Sequence, residues 1–347
     1  MRSAKLAGAV FALALSLLAA LALAAPPKAA PKYVAAQPLA EILTTPVGPV
    51  QSGPVQVPII TWGGDIATIL GNGNAKATDR SSVFGKLGLN LQLLREDVFA
   101  KQLEAYLAGR SPFLRGTLGM VQMAADATAR DPRTRPVVIY QLTWSTGGDA
   151  LVVKGGIKTA KDLRGKTVAL QAYGPHVDYL AKILADAGLS MKEVKLKWVA
   201  DLTGSANSPA SALADAGVDA AMVIIPDAMA LTSRGTVGTG AEDSVKGARI
   251  LLTTKTASRI ITDVYAVRSD YLQANRPTVE NFVRGLLQSQ EALKQLVAAK
   301  STRAAEYQKT MQAAAQILLD SAQAQADAEG MVADAEFTGF AANQSFF

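Results

Sequence analysis

From Val57 onward, short runs of consecutive apolar residues alternate with stretches in which apolar residues recur every three or four positions. The short runs predict strands at 57–62, 89–94, 137–143, 150–153, 167–171, 194–199, 220–225, 250–252 and 263–267. The helical spacing is clearest at 98–107, where Phe99, Leu103, Tyr106 and Leu107 share one face and Gly109 supplies the stop. Further helices are predicted at 117–129, from Gly174-Pro175 to Gly188, from Ser208-Pro209 to Gly217, at 278–297 and from Ala304 to about Ala326. Strands alternating with helices predict βαβ units, hence an α/β fold with mainly parallel sheets flanked by helices.

The N-terminal end follows a different pattern. Arg2 and Lys5 precede an almost wholly apolar stretch over 6–23, and Ala22-Leu23-Ala24 forms a small-x-small triplet. This is the pattern of a secretory signal peptide, residues 1–24, with cleavage predicted after Ala24 and a periplasmic address. An uncleaved anchor is the alternative, because the apolar stretch approaches the length that spans a bilayer. Residues 25–56 hold seven prolines (Pro26, Pro27, Pro31, Pro38, Pro46, Pro49 and Pro54) and read as an extended Pro/Ala-rich linker with at most one helical turn at 40–43. The closing pair Phe346-Phe347 reads as a segment entering a core.

Composition narrows the chemistry. A chain of 347 residues, 49% hydrophobic and 18% charged, is long enough for two lobes with substantial cores. With no Cys and one His, thiol catalysis, zinc–cysteine sites and histidine-rich metal sites are excluded, and no metal or cofactor is expected. The net charge of +6 includes Arg2, Lys5, Lys28 and Lys32; without these four, 31 basic residues face 29 acidic ones. No basic run remains to follow a phosphate backbone, so nucleic acid is not an expected partner. His176 is the sole imidazole and no G-x-S-x-G elbow accompanies it, which argues against a serine triad. Gly71-Asn72-Gly73 and the glycines at 235–240 lack the Lys-Ser/Thr ending of a phosphate loop.

Polar and aromatic residues recur just beyond the predicted strand ends: Trp62-Gly63-Gly64-Asp65, Trp144-Ser145-Thr146, Tyr173-Gly174-Pro175-His176, 202–205 and Pro226-Asp227. Each taken singly reads more readily as a turn, a cap or a core residue. Their recurrence points to a ligand crevice at the carboxyl ends of the strands. Trp62 and Tyr173 are candidate aromatic walls, and Asp65 and Asp227 candidate anchors for an amine. The helix starts near Thr117 and at Gly174 and His176 offer amides to an anion.

The order of these pieces resembles a type II periplasmic substrate-binding protein. It is most similar to the group serving ABC importers of nitrate, sulfonates, taurine and thiamine-precursor pyrimidines. The resemblance covers roughly Val57 to the C-terminus. It rests on Glu104-Ala-Tyr-Leu-Ala-Gly109, Asp149-Ala-Leu-Val-Val153, Ile157-Lys-Thr-Ala-Lys-Asp-Leu-Arg-Gly-Lys-Thr-Val168, Ala216-Gly-Val-Asp-Ala-Ala221 and Tyr265-Ala-Val-Arg-Ser-Asp270. It implies two hinged α/β lobes, 57–154 with 257–347 and 155–256, that close over a small polar ligand (a sulfonate, amine or zwitterion). The ligand-facing turns it implies are Trp62 to Asp65, Thr117, Ser145 and Thr146, Tyr173 to His176, and Asp227. It further implies a monomer that delivers its ligand to an inner-membrane ABC permease without enzymatic chemistry. The Trp62-Gly-Gly-Asp65 turn departs from the usual sulfonate-binding turn, so that ligand is not transferred. Two alternatives follow from the same resemblance: a pyrimidine-forming enzyme using its own histidine and a pyridoxal cofactor held by a lysine such as Lys154 or Lys182, and a sensory protein presenting its ligand to a receptor.

Overall fold

The computed structural model describes residues 30–241, 243–256 and 259–347; the predicted signal peptide lies outside them. In chain order the strands are β1 (Tyr33–Val34), β2 (Val55–Ile59), β3 (Leu91–Arg95), β4 (Phe113–Thr117), β5 (Pro136–Ser145), β6 (Asp149–Val153), β7 (Thr167–Gln171), β8 (Lys195–Val199), β9 (Ala220–Ile224), β10 (Arg249–Thr253), β11 (Thr262–Arg268) and β12 (Ala335–Phe337). A six-stranded sheet runs β1-β8-β7-β9-β6-β10, a four-stranded sheet runs β12-β5-β11-β4, and β2 pairs with β3.

After β1 of the six-stranded sheet has led by way of β2 and β3 to β4 of the four-stranded one, the chain makes two direct crossings between the larger sheets, from β5 to β6 over residues 146–148 and back from β10 to β11. These two crossings bring antiparallel pairs into both sheets, so the six-stranded sheet is mixed and the four-stranded sheet wholly antiparallel rather than mainly parallel. In each sheet the strand that leaves lies beside the strand that returns, so β5/β11 and β6/β10 must be antiparallel, as they are. Among the described residues, parallel pairing is confined to β2/β3, β7/β8 and β7/β9, where helices make the connections.

Alternation along the strands places a core on each face. On β11, Tyr265 and Val267 face a cluster with Phe282, Leu286 and Leu293 of the helix Arg276–Ala298, whereas Val264 and Ala266 face Phe99, Leu103 and Tyr106 of the helix Phe99–Leu107. On β6, Leu151 and Val153 meet Tyr179, Leu180 and Ile183 of the helix His176–Asp186; Ala150 and Val152 face Leu213 and Ala228 on the other side. Sheets covered on both faces need continuous apolar strands, which is why these segments read so clearly.

Several elements differ from the sequence reading. The 117–129 helix is two short ones, Leu118–Met123 and Ala125–Thr128. The Ala-rich helix stops at Leu319 because Asp320 adopts a left-handed conformation, φ 56°; Gln325–Ala333 and Gly339–Phe346 follow as separate helices. Phe347 is 66% exposed, so the final residue does not enter the core. The proline-rich segment is built into the fold from Tyr33 onward: Tyr33–Val34 extends the six-stranded sheet against β8, and Leu39 and Leu43 are buried among the helices beside β4 and β11. Among the described residues, no helix is long and apolar enough to cross a membrane.

Candidate functional site

The candidate residues gather where the two sheets meet. Three polar networks occupy this junction.

The first begins at Arg115, midway along β4 and fully buried. Its Nε and Nη2 donate to the two carboxylate oxygens of Asp65 at 3.0 and 2.7 Å, and Nη1 donates to Asp263 Oδ1 at 2.8 Å. The other oxygen of Asp263 accepts from Thr143 Oγ1 at 2.9 Å, and Thr143 Oγ1 accepts the Trp62 indole N–H at 2.9 Å. Trp62 is 8% exposed, with Gly63 and Gly64 leading into the helix Asp65–Gly71. Asp65 is therefore engaged on both oxygens by Arg115, a residue that sequence reasoning did not single out.

The second network spans both crossings. Ser145, the last residue of β5, donates to Asp149 Oδ2 at 2.6 Å, and Asp149 Oδ1 meets His176 Nε2 at 2.7 Å. Thr254 Oγ1 lies 2.9 Å from Ser145 Oγ and accepts the Gly147 amide at 2.8 Å. His176 is fully buried at the start of its helix, and its Nδ1 has no protein partner. Tyr179, one turn on, is likewise buried with an unpartnered hydroxyl.

A third link runs from the end of β7 to the loop after β3. Gln171 Nε2 at the end of β7 donates to the Asp97 carbonyl at 3.0 Å and the Ala200 carbonyl at 3.3 Å, leaving Oε1 unpartnered. Asp227, in the first turn of Ile225–Leu231, buries an unpartnered Oδ2. Asp178 approaches the Leu118–Met123 helix closely, its carboxylate lying where a Cβ at 119 would stand.

The other candidates point elsewhere. Thr117 Oγ1 caps its own helix by accepting from Met120 N at 3.1 Å. Thr146 donates its amide and hydroxyl to the Asp334 carbonyl. Tyr173, in a left-handed conformation at φ 58°, sends its hydroxyl to the Gln37 carbonyl at 2.5 Å and packs against the helices beside β4. Gly174 donates to the Gln171 carbonyl. Lys154 Nζ is spent on the Asp215 carbonyl, and Lys182 is an exposed helix-flank residue paired with Asp186. Neither lysine sits at His176, so a pyridoxal cofactor held there by one of them does not fit, and no chemistry is derived through it.

Burial raises the carboxyl groups of Asp65, Asp178, Asp227, Asp263 and Asp334 above their ordinary range, Asp65 to about 6 despite the opposing pull of Arg115. A carboxyl raised in the folded state holds its proton more tightly there than when unfolded. Its protonated form thus favours the fold below about pH 4, and that advantage is lost as pH rises through 6. The melting temperature of the ligand-free chain is expected to fall by several degrees between pH 5 and 7.5, read by calorimetry. A rising melting temperature over that interval would contradict the burial of these groups.

Comparison with known proteins agrees with this architecture. Residues 85–296 match the model of the family described as NMT1/THI5 like. No curated protein sequence matches the chain. The alkanesulfonate-binding protein SsuA of Xanthomonas axonopodis pv. citri, solved with MOPS, superposes with a TM-score of 0.54 at 18% identity over 82% of this chain and 87% of that one. The ligand-binding component of an ABC-type import system of Staphylococcus aureus, solved with zinc, gives 0.56 at 9% identity over 85% and 89%. The periplasmic nitrate-binding protein NrtA of Synechocystis PCC 6803 gives 0.53 at 11% identity over 77% and 67%. The fold is accordingly that of the two-lobed periplasmic binding proteins.

Proposed function

The chain belongs to the NMT1/THI5-like family, and from that premise we propose that it is the periplasmic solute-binding component of an ABC importer. It captures a small polar organic molecule between its lobes and releases it unchanged to a membrane permease. The observation that carries this reading is the placement of fully buried polar side chains, several with one unpartnered atom, at the junction that both crossings share. Buried polar atoms without partners are costly and uncommon, and a cleft that opens to admit a ligand accounts for them.

The mechanism is a shift between open and closed lobes. A ligand touching both halves favours the closed form by its differential affinity for the two states. Bending would concentrate at residues 146–148 and between β10 and β11, with the Thr254 hydroxyl holding the two crossings together. The closed form is the one presented to the permease. Asp227 and His176 reach the ligand from the β9 and β7 ends, with Trp62 as the facing wall.

Small-angle scattering of the purified chain with a panel of amines, sulfonates and heterocycles tests this reading. A bound compound is expected to reduce the radius of gyration and to be recovered intact by mass spectrometry. A compound that binds without compaction, or is recovered chemically changed, overturns it.

A further inference from the structure

Resting on the solute-binding reading, we propose that residues 32–38 are a latch set opposite the hinge. It is fastened in the ligand-free chain, and the lobes part when its Tyr33 end lets go of β8. The placement comes from the strand order. In β1-β8-β7-β9-β6-β10, β1 lies at one edge and the crossing strands β6 and β10 at the other. A tie at the edge farthest from the pivot resists opening with the longest lever arm. The same segment touches the loops that follow β7 and β8. The Lys32 amide donates to Asn207 Oδ1 at 3.0 Å, and the Gln37 carbonyl accepts the Tyr173 hydroxyl at 2.5 Å.

The two ends of the segment are held unequally. Towards the helices beside β4, Leu39 and Leu43 are buried, and the carbonyls of Leu43 and Gly48 accept from Arg130 and from the fully buried Arg268, at 2.7 and 3.1 Å. On the six-stranded sheet the hold is a two-residue strand whose side chains, Tyr33 and Val34, are 37% and 38% exposed. Exposed hydrogen bonds exchange with water at small net cost, whereas uncovering two leucines does not. The Tyr33 end is therefore the one that opens, while the leucines stay docked and bring the segment back.

β8 is prepared for that release. Asp215 Oδ2 accepts the Tyr33 hydroxyl at 2.7 Å and lies 3.0 Å from Lys197 Nζ, which also sits 4.4 Å from the Tyr33 ring centroid. When the tyrosine leaves, Lys197 and Asp215 keep each other in a half-exposed pair, so no buried charge is stranded. Lys195 and Lys197 also place charge along the strand that β1 vacates, a device that keeps an open edge from pairing with another chain.

Inter-lobe distances in single molecules, measured without any ligand, test the proposal. The chain has no cysteine, so dyes on Lys192→Cys, in the exposed turn before β8, and Gln308→Cys, on the exposed side of the helix Ala304–Leu319, go only where they are placed. The otherwise unaltered chain is expected to show mainly one short distance. Tyr33→Ala is expected to raise the fraction at a longer distance about tenfold, the scale on which losing a hydrogen bond and a packed ring shifts a two-state equilibrium. Tyr33→Phe, which keeps the ring on Lys197, is expected to fall between. Cleavage at a protease site replacing residues 35–36 is expected to match Tyr33→Ala or exceed it. Urea unfolding confirms that each variant is folded. A chain already at the longer distance for most of the time, and unmoved by the variants or the cut, overturns the latch and leaves the solute-binding reading intact. A cut that frees the lobes while Tyr33→Ala does not also overturns the proposal, because the hold then lies elsewhere in the segment. One fixed short distance in every variant and in the cut chain overturns the latch and the hinged reading together.

Discussion

Arg115→Leu is expected to lower the stability of the chain by about 3–5 kcal/mol, the cost of breaking a buried ion network by removing one partner. The reason is the state of what remains. Asp65 is fully buried and Asp263 nearly so, and the guanidinium supplies hydrogen bonds to both. Without it, two carboxylates face each other in an apolar surround, and each must take up a proton or draw in water. The loss measures that stranded charge rather than the worth of the ion pair. Adding Asp65→Asn and Asp263→Asn to Arg115→Leu is therefore expected to recover much of the lost stability, a non-additivity that neighbouring sites sharing partners produce. The readout is the midpoint of urea unfolding at unchanged slope. A single variant within about 1 kcal/mol of the parent, the size of an ordinary substitution, would mean that the carboxylates are already hydrated. Because Asp263 also orients Thr143, and Thr143 orients Trp62, the same variant is expected to blunt ligand-induced compaction.

How legible all this was in the sequence depends on the element. The strands at 167–171 and 220–224 announce themselves, because central strands covered on both faces must be continuously apolar. β4 escaped the reading: Phe113-Leu-Arg-Gly-Thr117 interrupts its apolar run with an arginine whose partners lie 50 and 148 positions away. Local periodicity carries no information about such distant charge pairing. A buried Arg between apolar neighbours is still a usable signal when the chain also holds acids at the ends of other apolar runs, as Asp65 and Asp263 are. The turns that line the junction were found from their position after strands, but the direction of each side chain was not. Tyr173 shows why: its left-handed backbone turns the ring towards the helices beside β4 and its hydroxyl to Gln37. Asp149 reads as the opening of the run Asp149-Ala-Leu-Val-Val153 and not as a site residue, although it joins Ser145 to His176. The proline-rich segment misled for a different reason. Composition speaks against a regular helix, yet it leaves open whether two leucines find a pocket.

Those leucines carry the second large expectation. Leu39 and Leu43 are 2% and 3% exposed, packed among Phe99, Leu103 and Leu107. Leu39→Ala and Leu43→Ala are each expected to cost about 2–5 kcal/mol, as buried leucine truncations do, and the pair less than the sum because they share one pocket. The docked path is reinforced by Arg130 Nη1 on the Leu43 carbonyl at 2.7 Å, and by the amides of Gly48 and Gln51 on the carbonyls of Leu107 and Gly109, both at 2.9 Å. Gly109 is left-handed at φ 76°, and a Cβ there would overlap the Pro49 carbonyl, so the segment lies hard against the helix end. Its other end belongs to the opposite lobe. Tyr33 pairs with Val199, donates its hydroxyl to Asp215 Oδ2 at 2.7 Å and lies under Lys197, whose Nζ is 4.4 Å from the ring centroid. Only residues 35–38 separate the two attachments, a reach of at most about 18 Å when fully extended. The segment thus ties the six-stranded sheet to the helices beside β4, and on the solute-binding reading it would limit how far the lobes part. In the double variant, the urea midpoint should fall, limited proteolysis should cut between residues 35 and 54, and the ligand-free radius of gyration should rise. Unchanged stability and an uncut segment would show that the two side chains do not hold the strap in place.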